Sequence, residues 1–168
     1  MIGNRTGPQG TGVGTVTVTG FGSRWDTGGL TVGNEGIGTL TVADRGAVSS
    51  TGGVIGNSSG SQGTVTVTGA GSLWFNSGNL SVGNVGSTGT LTIADGGAVN
   101  DMLGIIGVGP GSQGTVTVTG AGSIWTSSAS VFVGGTGGTG TLTIADGGTV
   151  SGRHGASSRG AEYRRRPG

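Results

Sequence analysis

The stretch GTVTVTG at residues 14–20 decides the fold, because it returns unchanged at residues 63–69 and 114–120. A related segment, TLTV or TLTI, lies midway between these copies. Successive segments are separated by 24, 25, 26, 25 and 26 residues, counted from Thr15, Thr39, Thr64, Thr90, Thr115 and Thr141. A unit of about 25 residues that recurs with so little drift is typical of one coil of a solenoid.

The repeated segment has the pattern of a strand with one buried face. In residues 15–19 threonine alternates with valine, and every residue is β-branched, which favours extended backbone with the valines on one side. No window places apolar residues at helical spacing. The 44 glycines and the hydrophobic content of 31% would by themselves indicate disorder. The fixed period instead places the glycines where the backbone turns or approaches a neighbour.

Each coil is predicted to hold the threonine-rich strand, a shorter strand that ends in glycine, as at residues 30–33, and a third short extended piece, as at residues 47–48. Three such faces indicate an all-β fold, a right-handed parallel β-helix (β-solenoid) of about six coils spanning residues 1–151. The predicted interior consists of Val16, Val18, Leu40, Val42, Val65, Val67, Leu91, Ile93, Val116, Val118, Leu142 and Ile144.

Composition changes after residue 151. Residues 1–151 hold three arginines and six acidic residues, a net charge of −3, whereas residues 152–168 hold five arginines and Glu162, a net charge of +4. We predict that residues 152–168 form a disordered basic tail, and its Arg-Arg-Arg-Pro-Gly ending resembles out-of-frame translation. The positive balance of the whole chain therefore comes from the tail and does not indicate a nucleic-acid partner.

Several kinds of site and segment are not indicated. Cysteine is absent, which excludes disulfides and thiolate metal sites, and His154 has no second ligand nearby. Neither a signal peptide nor an apolar run long enough for a membrane span is present. We expect no cofactor and no metal. Because both ends of the rod would expose strand edges, we expect the isolated chain to associate end to end.

Residues 60–99, which combine a GxGSxW, an LxVGN and a GTLTIADGG pattern, resemble the bacterial repeat of autotransporter passenger domains and exosortase-sorted (PEP-CTERM) surface proteins. The resemblance covers nearly all of residues 1–151. It implies a non-enzymatic structural passenger or adhesin-like segment at the cell surface, whose parent protein would meet host cells, neighbouring cells or glycans. The signal peptide, β-barrel and sorting tail of that family are missing from this sequence, so a fragment is expected.

One carboxylate per two coils is a candidate for catalysis. Asp44, Asp95 and Asp146 occupy the same turn in alternate coils, and a pair of carboxylates is the machinery of glycosidases. The alternative is structural, because aspartate favours tight turns and is followed directly by glycine at Asp95 and Asp146. A polysaccharide lyase, the remaining enzymatic alternative, would need clustered acidic ligands beside a basic residue, and Arg24 and Arg45 are isolated. We predict no catalytic residue.

Two arrays are candidates for binding. Trp25, Trp74 and Trp125 recur every second coil and are predicted to follow inward-pointing Leu73 and Ile124, level with Ser49, Asn100 and Ser151. They would either pack over the corners of the core or form a platform for sugars. The threonine columns would face outward as a grid resembling ice-binding surfaces, or simply stack as good strand residues. Packing and stacking are the expected outcomes.

Overall fold

The computed structural model describes the backbone of residues 1–4, 12–156 and 161–165, and the side chains of residues 1–4 and 12–152. Within these residues every strand pairing is parallel and no helix occurs, so the chain forms a β-solenoid of about six coils, as the repeat predicts. The strands are β1 (Val13–Thr19), β2 (Arg24–Asp26), β3 (Gly29–Val32), β4 (Ile37–Ala43), β5 (Ala47–Ser50), β6 (Gly52–Ile55), β7 (Gln62–Thr68), β8 (Leu73–Asn76), β9 (Asn79–Val82), β10 (Thr88–Ala94), β11 (Ala98–Asp101), β12 (Leu103–Ile106), β13 (Gln113–Thr119), β14 (Ile124–Val133), β15 (Thr139–Ala145), β16 (Thr149–Ala156) and β17 (Ala161–Arg165).

The threonine-rich strands stack in one sheet in the order β1, β4, β7, β10, β13, β15, and β17 follows β15 at its edge. Their register aligns the repeats residue on residue, so that Thr15 lies beside Thr39, and Thr39 beside Thr64. Because side chains alternate between the faces of a strand, the threonines face outward and the aliphatic residues between them face inward. Burial alternates accordingly along β4, β7 and β10.

The two shorter strands of each coil form a second sheet. β2, β5, β8 and β11 make one column, β3, β6, β9 and β12 make the other, and β14 runs through both columns and joins them. The register of β14 shifts between Thr126 and Ser130. We call this point, with its counterparts in the other coils, the junction of the second sheet.

The core fills the space between the two sheets. Ten of the twelve predicted interior residues are buried, and the other two, Val16 and Ile144, are partly buried and pack against the core. The shorter strands add buried residues that include Leu30, Val32, Val48, Ile55, Leu80, Val82, Val99, Ile106 and Val131. The alternation read from the sequence therefore identified the inward face of the first sheet correctly.

Glycine ends the shorter strand for a steric reason. Gly33 has φ of 74°, and a Cβ built on it would lie 2.2 Å from the carbonyl oxygen of Gln62 in the next threonine-rich strand but one. No other residue type tolerates both the left-handed backbone and such close contact. The equivalent residues, with φ of 71°, 76°, 69° and 79°, are Gly56, Gly83, Gly107 and Gly134.

Two strands, β16 and β17, include residues after position 151. β16 continues to Ala156 beside β14, and β17 pairs with β15, so these parts are extended and hydrogen-bonded. The backbone groups of an open sheet edge can pair with a chain of almost any composition, which explains strand geometry in a segment unlike the repeat. Residues 157–160 and 166–168 lie outside the described residues.

Candidate functional site

The tryptophan row lies largely inside the solenoid. The side chains of Trp74 and Trp125 are fully buried, and that of Trp25 is partly buried against the core. A ring without an exposed face cannot stack on a sugar, so Trp74 and Trp125 do not form the platform considered above. Both indoles pack inside the core, and not only over its corners.

Their burial follows from the register of β8 and its neighbours. Trp74 lies beside Val48 and Val99, both of which are buried. The prediction that Trp74 is level with Ser49 and follows an inward-pointing Leu73 is therefore wrong by one residue. A slip of one residue moves every side chain of a strand to the other face. The same correction applies to Ile124, Asn100 and Ser151, which belong to the outer columns.

A buried polar network satisfies the indole of Trp74. Its Nε1 donates to Ser50 Oγ at 3.0 Å, and Ser50 Oγ donates to Asn76 Oδ1 at 3.3 Å. Asn76 Nδ2 in turn donates to the carbonyl oxygens of Gly78 and Asn79 at 3.2 and 2.9 Å. Every buried polar side chain in this group therefore has a partner, as a buried network requires.

The second indole uses a carboxylate instead. Trp125 Nε1 donates to Asp101 Oδ2 at 2.5 Å, and Ser127 Oγ donates to Asp101 Oδ1. Asp101 follows the residue paired with Phe75, so it occupies the position that Asn76 has in the previous coil. Burial raises the pKa of Asp101, although the hydrogen bonds from Ser127 and Trp125 act in the opposite direction. In both networks the indole donates to a side chain of the preceding coil, which is Ser50 for Trp74 and Asp101 for Trp125.

A glycine in the preceding coil makes room for each indole. A Cβ on Gly53 would lie 2.8 Å from both Trp74 Cζ2 and Leu80 Cδ1, and a Cβ on Gly104 would lie 2.5 Å from Trp125 Cζ2. We call this packing of a tryptophan on a glycine of the preceding coil the two-coil interlock. Sequence reasoning missed both glycines, although their separation of 51 residues matches that of the tryptophans they face.

The interlock explains why the sequence repeats over two coils. Leu30, Gly53, Leu80, Gly104 and Val131 form one aligned column of the second sheet. The facing column is Trp25, Val48, Trp74, Val99 and Trp125. Coils with tryptophan and an aliphatic residue in the two columns thus alternate with coils that have valine and glycine, and the indole fills the space left by the glycine. Close packing requires this alternation.

The turn aspartates serve the backbone and the neighbouring coil. Asp44, Asp95 and Asp146 have φ of 50°, 52° and 50°, a conformation that aspartate tolerates better than most residues. Each accepts a hydrogen bond from a threonine of the preceding coil, and the distances from Thr19, Thr68 and Thr119 are 3.1, 3.0 and 2.8 Å. The structural interpretation of these carboxylates thus accounts for both their position and their bonding.

An asparagine ladder, not recognised in the sequence, joins the coils at the turn after the shorter strand. Asn34 Nδ2 donates to Asn4 Oδ1 at 2.9 Å, Asn57 Nδ2 to Asn34 Oδ1 at 2.8 Å, and Asn84 Nδ2 to Asn57 Oδ1 at 3.0 Å. All four side chains are partly buried. The asparagine of the LxVGN pattern was the signal, because a fixed asparagine in stacked coils brings identical amides together.

The threonine grid is aligned but bordered by an uneven column. Thr17, Thr41 and Thr66 are in register, as are the threonines two residues before them. Beside them lie Val13 and Ile37, which are 72% and 38% exposed. That neighbouring column continues as Gln62, Thr88, Gln113 and Thr139. Because its residues differ in length and polarity, the face next to the grid is not uniform.

Basic and acidic side chains are sparse in the described part of the chain. Arg24 Nε donates to both carboxylate oxygens of Asp26, at 2.8 and 2.7 Å, on the surface. This contact raises the pKa of Arg24 and lowers that of Asp26. Among the side chains the structure describes, no group of three or more His, Asp or Glu residues is placed to hold a metal ion.

Two shallow grooves lie on the outer surface on either side of the junction. One, of about 450 Å³, is lined by glycines of β3 and β6 together with Thr31, Val54 and Ser81. The other, of about 440 Å³, crosses β8, β11 and β14 and holds Phe75 and Met102. Each of these two side chains is 47% exposed. The corrected register therefore makes Phe75, not Trp74, the exposed aromatic residue of β8.

No protein-family model, curated protein or solved structure matches the chain. Of the residues placed by the structure, none belongs to a helix long and apolar enough to cross a bilayer.

Proposed function

We propose that this solenoid is a non-enzymatic structural segment of a bacterial cell-surface protein, of the autotransporter or exosortase-sorted kind, which extends or presents an adhesive region. The resemblance of its repeat supplies the class of protein. The observation that carries the structural role is the two-coil interlock, in which Trp74 packs on Gly53 and Trp125 on Gly104.

The interlock supports a rod because it is local. Each indole contacts the coil before its own, and each threonine strand pairs with its immediate neighbours. In such repeat proteins the stability is approximately a sum of terms within and between adjacent units. A pair of coils can therefore be added without changing any other contact, which is what a segment that sets length requires.

The outward polar groups are also used between coils. The threonine-to-aspartate bonds and the asparagine ladder connect successive coils at two turns. Side chains that would be free to meet a ligand at these turns instead hold the stack together. This distribution favours a mechanical role for these turns.

The experiment is a duplication of coils in the intact chain. A second copy of residues 64–114 inserted after residue 114 adds two coils and places the new tryptophan against Gly104. We expect the maximum dimension, measured by small-angle X-ray scattering, to increase by about 10 Å, with no loss of thermal stability. Shortening, or a lower melting temperature, would contradict an extendable rod.

The control duplicates one coil. A second copy of residues 64–89 inserted after residue 89 would place the copied Trp74 against Leu80 instead of Gly53, since Leu80 is aligned with Gly53 in the next coil. We expect this variant to be strongly destabilised or misfolded. Equal stability of the two insertions would show that the interlock does not set the unit of length.

The surface location is tested separately. The chain is placed between a bacterial signal peptide and an autotransporter β-barrel, with an epitope at its amino terminus, and intact cells are stained. We expect the epitope to be exposed on intact cells. Staining that appears only after lysis would contradict the proposed location.

A further inference from the structure

The groove that holds Phe75 lies in the middle of the rod, on the outer face of three successive coils. Its floor is the part of the outer column in which Phe75, Asn100 and Thr126 are in register. The groove, of about 440 Å³, is open to solvent and combines apolar surface with a few polar groups, as ligand sites do.

Two apolar side chains are open to solvent in this groove. Phe75 and Met102 are each 47% exposed although they sit in a column and at a junction otherwise dominated by small polar residues. The face of an aromatic ring is electron-rich and attracts weakly positive edges, and a thioether is adaptable and polarizable. Together they provide a surface for the polarised C–H face of a sugar ring.

Apart from the buried residues Asn76 and Asp101, the remaining side chains of the groove are uncharged hydrogen-bonding groups. Asn100 and Thr126 follow Phe75 along the column, and Ser77 and Ser128 lie at the junction. An amide and three hydroxyls supply both donors and acceptors. Asp101 is the one ionisable residue among those lining the groove. Its carboxyl group is buried and accepts hydrogen bonds from Trp125 and Ser127.

The surroundings argue against other ligand classes. β11 is paired on both sides, with β8 and β14, so a peptide cannot add to the sheet as a strand. A phosphorylated ligand or a nucleic acid would need basic side chains, and none lines the groove. What fits is a neutral molecule with many hydroxyls and an apolar face.

We propose that the groove at Phe75 and Met102 binds a neutral oligosaccharide, with a sugar ring on Phe75 and its hydroxyls bonded by Asn100, Thr126 and the junction serines. The proposal is independent of the structural role above, since a rod with or without surface display presents the same groove. The sugar would contact Phe75, the exposed residue next to Trp74, and not the buried indoles of Trp74 and Trp125.

The test uses the full chain and defined probes, namely cellohexaose, laminarihexaose, maltohexaose and chitohexaose, with hexagalacturonate as the charged counterpart. Binding is measured by saturation-transfer NMR and calorimetry. We expect at least one neutral hexaose to bind, and Phe75→Ala to weaken its affinity by about tenfold through loss of the ring. Phe75→Tyr, which keeps the ring, should retain binding.

Phe21→Ala is the matched control, because Phe21 is also an exposed phenylalanine, at 87%, but lies in the turn after β1 away from the groove. It should leave the affinity unchanged, and both alanine variants should keep the parental melting temperature. The proposal is overturned if no neutral hexaose binds, if Phe75→Ala binds as tightly as the parent, or if hexagalacturonate is preferred.

Discussion

Replacing Trp74 with alanine removes the centre of one two-coil interlock, and its cost can be worked out from the structure. The indole is fully buried, and truncation of a buried tryptophan costs about 3–5 kcal/mol, which includes the cavity it leaves. The lost bond to Ser50 accounts for about 1 kcal/mol of this. Because Gly53 has no side chain to fill the cavity, relaxation is limited, and we expect a loss of about 4–5 kcal/mol of unfolding free energy.

The assay is urea unfolding followed by far-ultraviolet circular dichroism, which does not depend on the tryptophan removed. For a chain of this length, such a loss should lower the melting temperature by about 10 °C. Trp25→Ala is the matched control, because Trp25 is only partly buried, and it should cost less. A loss below about 1 kcal/mol for Trp74→Ala would refute the claim that this indole holds adjacent coils together.

A double variant tests whether Gly53 and Trp74 are coupled through direct packing. Gly53→Leu should destabilise the parent, because even a Cβ at this position would lie 2.8 Å from Trp74 Cζ2, and overpacking typically costs about 1–3 kcal/mol. Combined with Trp74→Val, the same substitution should be much less harmful, with a coupling of about 1–3 kcal/mol. If the two effects simply add, the interlock does not determine the period.

Three further predictions concern the other inter-coil contacts and the grid. Because burial raises the pKa of Asp101, the stability contributed by its neutral form is complete below the unfolded pKa of about 3.9 and is lost as the pH rises through the raised value. Asp101→Asn should therefore gain stability over the parent as the pH increases above about 4; a stability difference between the two proteins that does not change with pH would exclude this linkage. Asn57→Ala breaks two ladder bonds and should cost about 1–3 kcal/mol in urea unfolding, more than Asn84→Ala, which breaks the bond to Asn57; equal losses would argue against the ladder. The threonine grid should not shape ice crystals because its neighbouring column is uneven, and faceted crystals in a nanolitre osmometer, lost in Thr66→Tyr, would reverse that judgement.

The sequence determined the period, the strands and most of the interior. These are local properties, because alternation of β-branched residues sets which side of a strand is apolar, and exact repetition aligns like residues in successive coils. The ten buried residues of the first sheet and the glycine at the end of the shorter strand followed directly. The aspartate turn was also predictable from the sequence, since aspartate hydrogen-bonds its own backbone in turns and tolerates positive φ.

Only the tertiary structure decided which side chains of the tryptophan strand point into the core. Leu73, Trp74 and Phe75 are all apolar, so alternation gives no means of choosing between the two registers, and a choice that is wrong by one residue inverts the strand. The space left by Gly53 in the preceding coil settles it, and that space exists only once the coils are stacked. The same stacking exposes Phe75, buries Asp101 and aligns the asparagines. Each of these contacts joins residues more than 20 positions apart in sequence, because the solenoid places consecutive coils, not consecutive residues, in contact.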